Sequence, residues 1–479
     1  MTIATNPAST IADTSFGLVR GLNRGTTSVF KGIRFATSAR FEQPRLVTGW
    51  DGELDATTYR AQCFQTPGVM ERTLGGSSIA MSEDCLFLNI YTPACDDSGR
   101  PVLFWIHGGA FVNGSGATPW YDGSSLAARA DVVVVTINYR LGAFGYLGDL
   151  NLGAHDQIAA LLWVHESIAS FGGDPGNVTI FGESAGGSAV VSLLAAPSAQ
   201  GLFHRAWAMS PSIAQLRNAE RGEQAEAQFL AAAGVSSREQ ASLLSAEAML
   251  AAQNELLRDV GAGFSGFSPT SGTELIPESI RAAASANPVP LVIGTTRDEM
   301  QLFSTFNPEL ASLDDAGVEG FFASRFGERA PQAIRRYRDV RPDATAPLLA
   351  SAIQTDETFR VPAWRLAEAR TALTSPTWMY WFTWASTAFG GALGSCHAMD
   401  IPFAFHNLHR KGVDQFTGDG DDRTAVADSF SDAVTGFARD GVAAWPMYDL
   451  AARATLRVDT VTTVANDPEA AVRELWSHV

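Results

Sequence analysis

The sequence predicts an α/β protein, a mostly parallel sheet covered by helices. Short apolar runs bounded by turn residues recur along the chain, helical patterns lie between several of them, and composition stays even from end to end. The runs span 87–91, 102–106, 132–137, 178–181, 206–209, 291–294 and 378–382, each rich in β-branched or aromatic residues. Segments 156–170 and 185–195 read as helices, and parallel neighbours need such crossovers to join them. Two longer stretches, approximately 214–285 and 308–373, are rich in Ala, Leu, Glu and Arg; they read as helical insertions forming the rim of a site. The polar run 414–423 reads as an exposed loop.

No Pro/Gly/Ser-rich or charged linker divides the 479 residues, so one domain over 1–479 with insertions is expected. Hydrophobic residues at 46% against 18% charged give enough apolar surface for a large core and exclude the disordered class. A net charge of −17 would repel nucleic acid and anionic bilayers, so neither is an expected partner. The start, MTIATNPASTIADTSFG, lacks the basic and apolar regions of an export signal, and no run of about 20 apolar residues follows, which points to a soluble, cytoplasmic protein. The apolar helix faces of the two insertions are open to core or interface, and a monomer is expected. Four cysteines, Cys63, Cys85, Cys95 and Cys396, are too few for a disulfide scaffold and lack zinc-site spacing, so no metal and no cofactor is implied.

The segment NVTIFGESAGGSAVVSLLAA passes from an apolar strand through Gly182-Glu183-Ser184-Ala185-Gly186 into a helix of small residues. A serine at such a turn is held in a strained backbone conformation with its hydroxyl above the sheet edge, and only small neighbours fit beside it. G-x-S-x-G is weak as a bare pattern, but here it occurs once and at the junction that a nucleophile requires. A second cluster, His107-Gly108-Gly109-Ala110-Phe111, follows the strand VLFWI. With the N–H of Ala185, those of Gly108 and Gly109 would form an oxyanion hole, each donor worth roughly 10²–10³ in rate. His107 precedes the nucleophile and reads as a loop anchor.

A serine hydroxyl needs a base oriented by a carboxylate, and on a strand-turn-helix nucleophile both follow in the order Ser, acid, His. Of the histidines beyond Ser184, His204 precedes any suitable acid loop and His478 lies at the chain end; His397, His406 and His409 remain. His397 lies in the Gly-rich loop FGGALGSCHAMD directly after the strand TWMYWFT, whereas FAFHNLHR reads as an exposed segment, which favours His397. The strand PLVIGTTRDEM offers Asp298 and Glu299 as the acid, and the residues alone do not separate them; the other would pair with Arg297.

Two longer segments, FGGDPGNVTIFGESAG and EDCLFLNIYTP, resemble the two signatures of the type-B carboxylesterase/lipase family, which contains bacterial p-nitrobenzyl esterases, animal carboxylesterases, cholinesterases and the non-catalytic neuroligins. FKGIRFA, NYRLGAFGYL, LFHRAWAMS and AWPMYD extend the resemblance over nearly the whole chain. It implies the α/β-hydrolase fold, Glu299 as the acid and His397 as the base, with Glu183 and Ser210 as buried supporting residues. Met300, Asp400 and Pro211 depart from the family's usual glycine, glutamate and glycine. Cys63 and Cys85 match a disulfide pair of secreted relatives and are expected reduced here. The loop between them holds no tryptophan of the kind that cholinesterase-like members use to bind quaternary ammonium.

The expected function is carboxylic-ester hydrolysis through Ser184, His397 and Glu299 and an acyl-enzyme. Carbamate or amide hydrolysis would use the same groups. A binding module of the neuroligin kind is the alternative of another class, disfavoured because all three triad positions are occupied by competent residues.

Overall fold

Within each central strand, successive side chains enter two different cores. Val102, Phe104 and Ile106 join a cluster on one face of the sheet, while Leu103 and Trp105 join a second cluster on the other. Both sets are buried, so these strands read as continuous apolar runs rather than as alternating ones. The computed structural model describes residues 9–68, 79–259, 266–305, 307–477 and 479. His478 and part of the segment between Cys63 and Cys85 lie outside them.

Fifteen strands are described: β1 Ser9–Thr14, β2 Gly17–Asn23, β3 Ser28–Arg34, β4 Ala36–Thr37, β5 Arg45–Leu46, β6 Glu53–Asp55, β7 Phe87–Thr92, β8 Arg100–Ile106, β9 Val133–Ile137, β10 Gly173–Glu183, β11 Arg205–Met209, β12 Leu291–Thr296, β13 Thr377–Phe382, β14 Ala454–Val458 and β15 Thr463–Asn466. Thirteen form one sheet in the order β1-β2-β3-β7-β9-β8-β10-β11-β12-β13-β14-β15, with β6 beside β2, and β4 pairs with β5. From β9 to β14 all neighbours are parallel, flanked by antiparallel strands at both edges. All seven expected apolar runs are strands of this sheet. β10 starts earlier than expected, its pairing with β8 broken by an irregularity between Gly173 and Val178.

The strands missing from the sequence reading are mainly edge strands. In β1 and β2 buried positions are separated by exposed ones, so no apolar run marks them. The run 414–423 also differs from expectation: Val413–Thr417 is a short helix that buries Val413, Phe416 and Thr417, with Phe416 packed 5.3 Å from Trp120. The stretch 214–285 contains helices Ala219–Ala232, Arg238–Ser242 and Ala246–Asp259. The stretch 308–373 contains helices Asp315–Phe326, Ala330–Val340, Ala346–Thr355 and Val361–Ala372. No described helix is long and apolar enough to cross a membrane.

One buried ion pair locks the loop after β9 to the helix Leu152–Ser167. Arg140 donates from Nε and Nη2 to Asp156 at 2.8 and 2.7 Å, and from its backbone N–H at 3.0 Å, while Nη1 reaches the carbonyl of Glu42. Nearby, Cys63 and Cys85 are free buried thiols, and Leu141 N–H donates to Cys63 Sγ. The contact with Cys63, followed by burial, raises the Cys85 thiol well above its ordinary range. Arg140→Met would strand Asp156 without its cation; urea denaturation is expected to show a loss of about 3–5 kcal/mol. An unchanged midpoint would contradict this account.

Candidate active site

Three chain turns leave the same edge of the parallel block. β10 ends at Glu183, β12 at Thr296 and β13 at Phe382, and only β11 separates β10 from β12. Because these strands are parallel and in register, their carboxyl ends lie together, and whatever follows them meets there.

Ser184 stands between β10 and the helix Ala185–Ala195 with φ 59° and ψ −120°, a conformation that a non-glycine residue adopts only when its surroundings enforce it. Its N–H donates to the carbonyl of Met209, which pins the turn to β11. The helix can approach because residue 186 is glycine: a Cβ there would fall 2.0 Å from the Ile106 carbonyl oxygen. The loop after β8 comes equally close. A Cβ on Gly108 would sit 2.7 Å from the Glu183 carbonyl oxygen and 3.2 Å from the Ser184 Cβ, and Gly109 has φ 110°. Among the described residues the N–H groups of Gly108 and Gly109 donate to no protein acceptor. Ala185 begins its helix, so its N–H has no partner within it.

His107 is buried and stacks on Tyr139, with ring centroids 4.4 Å apart, and its Nδ1 lies 2.8 Å from the Gly108 carbonyl. Burial holds its imidazole low, at about 4, so it stays neutral and anchors the loop.

His397 Nδ1 lies 2.5 Å from Glu299 Oε2, and the His397 backbone N–H donates to the Glu299 carbonyl. The other carboxylate oxygen of Glu299 accepts from Thr296 N–H at 2.8 Å, so a fully buried acid has both oxygens engaged. Asp298 turns away, accepting from Arg297 Nε and from Ser395 N–H, each at 3.0 Å. The geometry therefore separates two carboxylates that the residues alone leave open. His406 pairs instead with Asp428 at 2.9 Å, His409 is exposed, and the Nδ1 of His204 accepts from Val178 N–H.

His397 Nε2 lies 3.1 Å from Oε1 of Glu183, the residue before the serine. Burial alone would depress the imidazole, but the charges of Glu183 and Glu299 outweigh it and hold it raised. Burial likewise pushes the Glu183 carboxyl up to about 8 and that of Asp400 up to about 7; Asp400 also accepts from Tyr380 OH at 2.8 Å. Ser210, at φ 44°, follows β11 and is buried, its N–H donating to the Gly294 carbonyl, with no partner for its Oγ among the described residues. Two aromatic rings flank the imidazole, Phe303 at 5.5 Å and Phe359 at 4.8 Å between centroids. Neither stood out in the sequence, where both are ordinary apolar positions in helical patterns. Among the described residues no cluster of three His, Cys, Asp or Glu side chains is arranged to hold a metal.

Comparison with known proteins agrees with this architecture. The model of the Carboxylesterase family matches residues 8–476. The chain is 35% identical to the para-nitrobenzyl esterase of Bacillus subtilis (strain 168), over 97% of this chain and 98% of that protein. It is 34% identical to the phenmedipham hydrolase of Pseudarthrobacter oxydans, over 87% and 86% respectively. The crystal structure of carboxylesterase EST55 from Geobacillus stearothermophilus superimposes with a TM-score of 0.86 at 36% identity, covering 98% of this chain and all of that one. An α/β-hydrolase fold with a serine on its strand-to-helix turn, matched by a family model over nearly its full length, belongs to the carboxylesterase family, and the chain is a carboxylic-ester hydrolase.

Proposed function

We propose that Ser184, His397 and Glu299 carry out the ester hydrolysis, with the N–H groups of Gly108, Gly109 and Ala185 as the oxyanion hole and residues 1–479 as one catalytic domain. The observation that carries this reading is the 2.5 Å contact of His397 Nδ1 with Glu299 on the strand edge that also bears the strained Ser184. A carboxylate on Nδ1 fixes the tautomer and leaves Nε2 to exchange a proton with the nucleophile.

As Ser184 Oγ attacks the ester carbonyl carbon, His397 Nε2 takes its proton, and the carbonyl oxygen becomes an anion held by the three N–H groups. The imidazolium then gives that proton to the departing alkoxide, leaving an acyl-enzyme. Water, deprotonated by the same nitrogen, attacks the acyl carbon, and the proton returns to Ser184 as the carboxylic acid leaves. Glu299 stays ionised throughout. Glu183, 3.1 Å from Nε2, stabilises the imidazolium form, and Ser210, buried at the end of β11 next to β10, is its supporting neighbour in this reading.

The substrates are small-molecule carboxylic esters, and the helices of 214–285 and 308–373 would set the acyl preference as the rim of the site. A monomeric cytoplasmic enzyme completes the proposal, with the low cysteine content as support.

A fluorophosphonate is expected to add once, at Ser184, as read by peptide mass spectrometry. Ser184→Ala is expected to lower kcat on p-nitrophenyl esters by about 10⁴-fold or more while remaining folded. Labelling elsewhere, or undiminished turnover, would remove the triad assignment. Comparing a phenylcarbamate and an anilide with the esters then reads how far the same groups extend to other acyl compounds.

The pH profile provides a second test. Activity needs neutral His397, so kcat/KM rises with pH along an acid limb, and negative charge on Glu183 displaces that limb upward. Glu183→Gln removes the charge, so the limb is expected to move to lower pH. A limb that stays in place would show that Glu183 does not act on the imidazole.

A further inference from the structure

The second helical insertion reaches the site through a single irregular turn. Between the helices Ala346–Thr355 and Val361–Ala372, residues Asp356–Arg360 form a π-helical turn, which re-aims side chains that a continuous α-helix would direct elsewhere. Phe359 packs on the His397 ring. Arg360 is buried, its side chain only 4% exposed. Its Nη2 donates to the carbonyl of Arg297 at 3.0 Å, just before Glu299, and its Nη1 donates to Glu469 Oε2 at 2.5 Å. From the other end of the turn, Thr355 Oγ1 accepts from Met300 N–H at 3.0 Å, just after Glu299. The loop bearing the acid is thus held on both sides by one turn of helix.

Glu469 ties this turn to the end of the chain. It precedes the helix Ala470–Trp476 with φ 59°, and it also accepts from Arg341 Nη1 at 3.0 Å. Asp356 accepts from Tyr337 OH at 2.5 Å, and Tyr337 accepts in turn from Trp476 Nε1 at 2.9 Å. Arg360 Nε also lies 3.4 Å from Asp356 Oδ1. Four largely buried charges, Arg360, Glu469, Arg341 and Asp356, therefore meet here, an expensive way to join helices that apolar packing could join as well. What the guanidinium adds is direction: its planar fork fixes a carbonyl and a carboxylate at set angles.

We propose that Arg360 and Glu469 are positioning residues for ester hydrolysis: their buried ion pair couples the C-terminal helix to the Glu299 loop and to Phe359, and so sets the orientation of the His397 imidazole. This rests on the assignment of Ser184, His397 and Glu299 above. Because the imidazole is bound at 2.5 Å to Glu299, a shift of that loop passes directly to Nε2, and a misplacement of about 1 Å costs about 10²-fold in rate.

The test uses the full-length enzyme. The double variant Arg360→Met/Glu469→Leu removes one charge of each sign and leaves Asp356 and Arg341 as the remaining opposite charges of the group, and Arg360→Lys keeps the charge but not the fork. Per folded molecule, as established by circular dichroism and thermal melting, the double variant is expected to lose about tenfold or more in kcat on p-nitrophenyl acetate, with KM changed less than about threefold. Fluorophosphonate labelling of Ser184 should slow in parallel, and Arg360→Lys should fall between the double variant and wild type. Wild-type kcat and labelling rate per folded molecule in the double variant would overturn the proposal; if that variant does not fold, the same result in Arg360→Lys overturns it. An active Ser184→Ala would instead remove the triad reading itself, so the two failures are distinguishable.

Discussion

The approach of one helix to one strand is the constraint on which the rest of the site depends. Ser184 can be raised above the sheet only if the helix Ala185–Ala195 begins almost against the end of β8, where nothing larger than a hydrogen fits between residue 186 and the Ile106 carbonyl. That contact puts the serine in a backbone conformation that it would not choose, and it brings the N-terminus of the helix, with the free N–H of Ala185, to the same place. The loop after β8 closes in under the same condition, with glycine at 108 lying against Glu183 and Ser184. The raised serine and the cluster of N–H groups beside it are therefore two results of one steric requirement.

Charge is the second organising feature. Glu183, Glu299 and Asp400 are all buried within reach of a single imidazole, in surroundings where Coulomb forces are weakly screened. Such a cluster is tolerable because its members differ. Glu299 has both oxygens occupied and a histidine as partner, whereas burial raises Glu183 and Asp400, and the charge on the imidazole draws Glu183 back toward its ionised form. The imidazole thus meets one firmly held carboxylate on Nδ1 and a softer one near Nε2.

Support for this arrangement comes from distant parts of the chain. Glu299 lies in the loop after β12 and His397 in the loop after β13, and a turn of the second insertion braces the Glu299 loop from both sides. Rigid support of this kind is what catalytic geometry needs, since a group held by a loop alone would sample positions too distant to react.

Much of this was legible in the order of residues. Apolar runs of strand length located the central strands because both faces of a parallel sheet are buried, and Gly182-x-Ser184-x-Gly186 located the strand-to-helix turn that raises Ser184 because that turn tolerates no side chain beside it. The antiparallel edge strands were hidden by their half-exposed pattern, and the helix Val413–Thr417 by its polar surroundings. Sequence by itself determined the class, the turn that bears Ser184 and the loop that bears His397, since each follows from local rules of backbone and periodicity. The residues alone left Asp298 and Glu299 open and the family resemblance implied Glu299; only the tertiary structure put Glu299 on His397 Nδ1 and Asp298 on Arg297, placed Glu183 beside Nε2, and brought Phe359 and Arg360 to the imidazole and its loop. Those outcomes depend on the direction in which a side chain leaves its backbone and on what is packed opposite, and neither quantity is a property of residues adjacent in the chain.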